Sequence, residues 1–94
     1  MYDDLRARVR ADFPRARSEL ESLIRIPSVS APGYDPGHVR ASAELVASML
    51  TDSGFDEVRL LELDGAHPAV YGERQGPPGS PTLLLYAHHD VQPP

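Results

Sequence analysis

The chain has no cysteine, no tryptophan and no lysine, and all nine of its basic residues are arginine. Without cysteine it forms no disulfide, and any metal that it binds must be held by histidine and carboxylate side chains. Small extracellular domains usually depend on disulfides, so the absence of cysteine is typical of a cytosolic protein. We therefore expect a cytoplasmic protein.

The sequence has no feature typical of a nucleic-acid-binding, secreted or membrane-spanning protein. The formal net charge is −5 and the arginines are spread along the chain, so no basic surface for nucleic acid is predicted. The first thirteen residues mix acidic and basic side chains where a secretory signal would carry an apolar run, and no apolar stretch reaches the roughly 20 residues of a membrane span. We predict no nucleic-acid partner, no leader and no membrane segment.

The first 25 residues have the periodicity of an amphipathic helix. We expect the helix to end near Arg25, because Pro27 disfavours a helical conformation at Ile26. Pro14 leaves two possibilities: the helix kinks there, or a new helix begins with Asp12 as its N-cap. The apolar residues that form this face are Leu5, Val9, Phe13, Ala16, Leu20, Leu23 and Ile24.

A second helix is predicted after a loop of about ten residues, PSVSAPGYDPG. Asp35 is its expected N-cap, Pro36 its first helical residue and Gly54 its left-handed C-terminal cap. The predicted apolar face consists of Val39, Ala43, Val46, Met49 and Leu50. Ser28 and Ser30 belong to no nucleophile motif, so we interpret them as loop and turn residues.

Beyond Phe55 the apolar period becomes that of strands. Val58 and Leu60 share one side of a first strand, Asp64-Gly65 signals a turn, and residues 69–73 form the second strand of an antiparallel hairpin. The continuous apolar run TLLLYA, residues 82–87, is typical of a strand buried on both faces. The predicted fold class is therefore α/β, with two helices, a β-hairpin and a buried central strand of a mixed sheet.

The residues that follow this run are the candidate functional residues of the chain. Open α/β sheets place ligands beyond the carboxyl ends of buried strands, where His88, His89 and Asp90 stand. In an extended backbone His88 and Asp90 project to the same side and His89 to the other. A metal-bound imidazole needs an acceptor at its second nitrogen, and Asp90 can provide one for His88. A structural reading stays open, in which His88 is a core histidine and Asp90 a turn residue.

Two segments of the sequence resemble a known family. LIRIPSVSA at residues 23–31 and LLLYAHHDVQPP at residues 83–94 are similar to the dinuclear-zinc aminoacylase and dipeptidase metallopeptidases, which include carboxypeptidase G, acetylornithine deacetylase, succinyl-diaminopimelate desuccinylase and the carnosine-type dipeptidases. The family usually has glycine where Ala87 stands. The VQPP ending at residues 91–94 resembles the dipeptidase branch.

The resemblance implies a fold, a cofactor and roles for two residues. It implies that residues 1–94 are the incomplete N-terminal portion of a zinc-exopeptidase catalytic domain, in which His88 is a metal ligand and Asp90 the catalytic aspartate that orients it. The complete enzyme would hold two zinc ions, with manganese or cobalt as alternatives, and would form a homodimer. The remaining metal ligands and the general base would lie beyond Pro94, so the 94-residue chain alone is predicted to be inactive.

The expected activity is hydrolysis of the amide bond of dipeptides by a metal-activated water. Two alternatives stay open: a deacylase of N-acyl amino acids from the same family, and a non-catalytic α/β interaction module with a relic motif. His89 is interpreted as structural or substrate-facing, and His38 and His67 as solvated surface residues.

Overall fold

The computed structural model describes all 94 residues, which form two helices and one two-stranded antiparallel sheet. In chain order the elements are α1 (Asp3–Ile24), α2 (Pro36–Asp52), β1 (Glu57–Leu61) and β2 (Ala69–Glu73). Neither helix combines the length and the apolar character needed to cross a membrane. The order of helices and hairpin is the predicted one, and the bounds differ from the predicted bounds by a few residues at most.

Helix α1 runs without interruption through Pro14, so the alternative in which Asp12 starts a new helix is wrong. Asp12 instead forms an ion pair one turn away, with its Oδ2 2.7 Å from Nε of Arg8. Pro14 has no N–H, so the carbonyl of Arg10 loses the helical hydrogen bond that it would otherwise accept. The helix ends with Arg25 as its C-cap, as predicted.

The apolar face of α1 is largely exposed. No residue of this helix is buried, and even Phe13 keeps 60% of its surface accessible. The periodicity correctly predicts a helix. However, α1 touches α2 along only a short stretch, so Leu23 is partly buried while Leu5, Val9, Phe13, Leu20 and Ile24 stay exposed.

Both ends of α2 have the capping interactions that the sequence predicts. Asp35 accepts a hydrogen bond from the backbone N–H of Gly37 at 2.8 Å, which satisfies one of the unpaired donors of the first turn. At the other end Gly54 has φ +95°, a value that side-chain-bearing residues rarely adopt. This conformation lets the N–H of Phe55 return to the carbonyl of Leu50 at 3.1 Å, as in a Schellman motif.

The hairpin packs one of its faces on α2. Leu60 is opposite Val70 and Val58 is opposite Gly72 in the register, and these residues are partly buried while their neighbours along β1 are exposed. Gly65, with φ +76°, lies in the predicted turn. The buried residues of the whole chain lie in α2, the loop before it and the hairpin loop: Ser28, Val29, Val39, Ser42, Ala43 and Pro68.

The predicted buried central strand does not form. Residues 82–87 have no regular secondary structure and pair with no other segment, and Leu84 is 92% exposed. A strand is held by hydrogen bonds to a neighbour, and β1 and β2 pair only with each other. The sheet is consequently a two-stranded antiparallel hairpin, and the predicted mixed sheet is absent from this chain.

The chain leaves far more surface exposed than a globular domain of its mass. Its accessible surface is 7833 Å², whereas about 5,400 Å² is expected for a folded monomer of this size. The radius of gyration is 15.7 Å, against about 12 Å for a compact domain of this length. The exposed excess includes the apolar face of α1 and the run at residues 82–87.

Candidate functional site

A short parallel bridge brings the end of the chain beside the loop that precedes α2. Val29 and Val91 are bridge partners, and the N–H of Val91 donates to the carbonyl of Ser28 at 3.1 Å. Ser28 and Val29 are both buried, so this contact lies against the small core. The bridge therefore determines which loop side chains can reach the three candidate residues, 88–90.

His88 and Asp90 are in direct contact. Nδ1 of His88 lies 2.8 Å from Oδ1 of Asp90, and the two side chains are 68% and 32% exposed. When Nδ1 carries the proton it donates to the carboxylate, and the lone pair of Nε2 is then available to a metal. Nε2 has no hydrogen-bond partner in the chain. The contact is the one that a supported metal ligand needs, while the roles of the two residues remain predictions.

The second carboxylate oxygen of Asp90 also has a partner, which the sequence did not indicate. Oγ of Ser30 donates to Oδ2 of Asp90 at 2.6 Å. Two hydrogen bonds lower the pKa of Asp90 below its ordinary value: the one from Ser30 has the larger effect and the one from His88 the smaller. The carboxylate is therefore ionised at neutral pH, with one donor on each oxygen.

His89 faces a different element from its two neighbours. Its Nδ1 lies 2.9 Å from Oγ of Ser42, a buried residue of α2. Its backbone carbonyl accepts longer hydrogen bonds from the hydroxyls of Ser42, at 3.4 Å, and Ser28, at 3.5 Å. These contacts hold His89 against α2 and away from the pair formed by His88 and Asp90. The predicted structural or substrate-facing role of His89 stays a prediction.

The two remaining histidines are exposed, but only one is free of the site. His38 lies 3.8 Å from Asp35 in the first turn of α2. Nε2 of His67, in the hairpin loop, lies 3.0 Å from the backbone carbonyl of Ser30, to which it donates when protonated. His67 thus contacts the loop that supports Asp90. Ser30, Ser42 and His67 are the neighbours of the site that sequence reasoning missed, since each contact joins residues far apart in the chain.

The side chains present fit part of a metal site. His88 has the supported imidazole of a ligand, but no group of three histidine, cysteine, aspartate or glutamate side chains lies close enough to hold an ion together. A zinc ion in a protein is held by about three or four protein ligands. This chain can therefore supply one imidazole nitrogen and the carboxylate that orients it.

Comparison with known proteins gives two related matches. The chain is 28% identical to the Cys-Gly metallodipeptidase of Saccharomyces cerevisiae and 31% identical to that of Candida albicans, in each case over 91 aligned residues that cover 85% of this chain and 19% of the relative. The chain is similar to metallodipeptidases. It spans about a fifth of the length of the curated relatives that it matches.

The other two comparisons add nothing to this similarity. No protein-family model matches the chain, and no solved structure matches it significantly. The partial similarity supports a relation to metallopeptidases, and it is consistent with the metal-dependent hydrolase implied by the sequence resemblance. Narrower assignments of substrate, metal and mechanism are proposals.

Proposed function

We propose that these 94 residues are the N-terminal part of the catalytic domain of a metal-dependent dipeptidase, in which His88 is a metal ligand and Asp90 orients it. The observation that carries the proposal is the 2.8 Å contact between Nδ1 of His88 and Oδ1 of Asp90. It occurs in the segment where the sequence most resembles the dipeptidases, and the similarity to two Cys-Gly metallodipeptidases supports the same activity.

The residues of this chain have a defined task in that reaction. The proposed metal is zinc. When bound, it would act as a Lewis acid that polarises the amide carbonyl and lowers the pKa of a water. Asp90 accepts a hydrogen bond from Nδ1–H of His88 and so keeps the imidazole in the tautomer with a free Nε2 lone pair. The contact also holds the ring plane in one direction. A Cys-Gly-like dipeptide is the substrate class that the two relatives favour.

Three features of the complete protein belong to the same proposal. It would contain two metal ions, act as a homodimer and reside in the cytoplasm. The further ligands and a general base would come from residues outside this chain, because His88 and Asp90 cannot by themselves fill the coordination of an ion. N-acyl amino acids are the alternative substrates, and both classes present an amide bond next to a free carboxylate.

The proposal is tested with the protein encoded by the complete reading frame that contains these residues. The purified protein is analysed for bound metal and assayed for amine release from a panel of dipeptides and of N-acyl amino acids. We expect bound divalent metal and turnover of dipeptides. Turnover of N-acyl amino acids alone would indicate the deacylase, and a folded protein with neither metal nor turnover would indicate the interaction module.

A matched pair of variants links the activity to this site. His88→Ala should remove one metal ion and nearly all turnover, whereas His38→Ala, which changes an exposed histidine in the first turn of α2, should leave both unchanged. Equal metal content in wild type and His88→Ala would contradict the proposed role of His88.

A further inference from the structure

The hydroxyl of Ser30 is the one serine hydroxyl that contacts the candidate catalytic carboxylate. It lies 2.6 Å from Oδ2 of Asp90, while Oδ1 of the same carboxylate is 2.8 Å from Nδ1 of His88. We propose that Ser30 is a positioning residue for His88: it acts through Asp90, holding the carboxylate in the orientation that in turn holds the imidazole. This inference rests on the proposed function for the identity of the group that His88 binds.

The geometry explains why a second donor matters. An aspartate side chain that is 32% exposed can rotate about its terminal bond, which turns the plane of its carboxylate. A donor on Oδ2 and another on Oδ1 together leave one orientation that satisfies both. The Ser30 contact, at 2.6 Å, has the length of a charge-assisted O–H···O⁻ hydrogen bond, which is about twice as strong as a neutral one.

Ser30 is itself held in place from two directions. The bridge between Val29 and Val91 aligns its backbone with the segment that carries Asp90. On the other side, its carbonyl oxygen lies 3.0 Å from Nε2 of His67 in the hairpin loop. A hydroxyl on so restrained a backbone can keep a carboxylate in one orientation, which a hydroxyl on a free loop could not do.

The neighbouring serines have different contacts. Ser28 donates only to the backbone carbonyl of His89, and Ser42 contacts the carbonyl and the ring of His89. Neither reaches Asp90 or His88, so their hydroxyls serve the placement of the segment. Ser30 alone completes the chain of contacts from a backbone-anchored hydroxyl to the proposed metal ligand.

The test uses four variants of the protein encoded by the complete reading frame: Ser30→Ala, Ser30→Thr, Asp90→Ala and the double variant Ser30→Ala/Asp90→Ala. Ser48→Ala is the control, since Ser48 lies on α2, is exposed and donates to a backbone carbonyl. Zinc affinity is measured by competition with a chromophoric chelator, and circular dichroism checks that each variant is folded.

We expect Ser30→Ala to weaken zinc binding about 10-fold, the lower end of the range for residues that support a ligand. Ser30→Thr keeps the hydroxyl and should stay within about twofold of wild type. In the Asp90→Ala background the serine change should have no further effect, because its action requires the carboxylate. Unchanged affinity in Ser30→Ala, no rescue by threonine, or the same loss in both backgrounds would overturn the proposal.

A second readout needs no metal. Ring nitrogen shifts of His88, measured by NMR on metal-free protein with ¹⁵N-labelled histidine, report which nitrogen carries the proton. Ser30→Ala should reduce the population protonated at Nδ1, and Ser30→Thr should restore it. If wild type binds no zinc but the shifts respond in this way, the proposed function fails and the positioning by Ser30 stands. Shifts that do not change in Ser30→Ala would refute the positioning itself.

Discussion

His88, His89 and Asp90 should respond differently to substitution, although they are adjacent in sequence. His88→Ala removes the imidazole that contacts Asp90 and whose Nε2 is free of partners. His89→Asn changes a ring whose Nδ1 is already engaged by Ser42 at 2.9 Å. Asp90→Asn keeps an oxygen that can accept from His88 and places an amide where Oδ2 received the hydroxyl of Ser30.

The expected magnitudes follow from these contacts. Loss of one of about four ligands in His88→Ala should remove one metal ion and nearly all activity. Asp90→Asn makes the hydrogen bond from His88 a neutral one and places an NH2 donor opposite the Ser30 hydroxyl, which can no longer donate to that atom. A 10–100-fold loss of metal affinity is expected, equivalent to about 1.4–2.7 kcal/mol. His89→Asn should retain the metal and lower the free energy of unfolding by about 1 kcal/mol through the lost contact with Ser42.

The assay is metal analysis of the three variants in the protein encoded by the complete reading frame, combined with chelator competition for Asp90→Asn. Urea denaturation of His89→Asn supplies the stability change. Loss of zinc in the His89 variant, with retention in the His88 variant, would refute the reasoning. It would mean that His89, and not His88, faces the metal and that Asp90 does not support the metal ligand.

Two further predictions concern the 94-residue chain alone, and a third concerns the C-terminal end of α2 in the complete protein. The 94 residues alone, incubated with zinc and a panel of dipeptides, should retain no stoichiometric metal and release no amine, because no three ligating side chains are clustered; retained zinc with turnover would contradict this. The same chain should associate with increasing concentration in sedimentation velocity, since the apolar face of α1 and residues 82–87 are exposed; a monodisperse monomer with a cooperative thermal transition would count against it. In the complete protein, Gly54→Ala should lower the free energy of unfolding by about 1–2 kcal/mol, because alanine is strained at φ +95°. Ser53→Ala, at the adjacent C-cap residue, should change it by less than about 0.5 kcal/mol, and equal effects of the two changes would refute a backbone cause.

The helix ends and the hairpin could be predicted because their causes are local. Asp35 caps an N–H two residues away, Gly54 adopts its positive φ one residue after the cap, and the turn near Gly65 joins adjacent strands. Such interactions depend on neighbours in sequence and act the same way in any surroundings. The choice at Pro14 was different, because both readings were locally acceptable and the structure continues the helix.

The central strand could not be decided in this way. The composition of residues 82–87 indicates a buried strand, but a strand requires a neighbour to pair with, and β1 and β2 pair only with each other. The same reasoning applies to α1, whose apolar periodicity predicts the helix correctly but does not show what covers its apolar face. A pattern of apolar residues specifies a face that requires cover, and only the tertiary structure shows whether anything covers it.

In the candidate site too, the sequence indicates some residues and only the tertiary structure shows the others. The sequence alone indicated His88 and Asp90, because two residues in an extended segment share a side whatever the rest of the chain does. It could not indicate Ser30, which reaches Asp90 across 60 positions, or Ser42, which reaches His89 across 47. Those contacts depend on the bridge between Val29 and Val91 and on the packing of α2 beneath it. Hydrogen bonds require separations near 3 Å, and between residues so distant in sequence only the folded chain determines that separation.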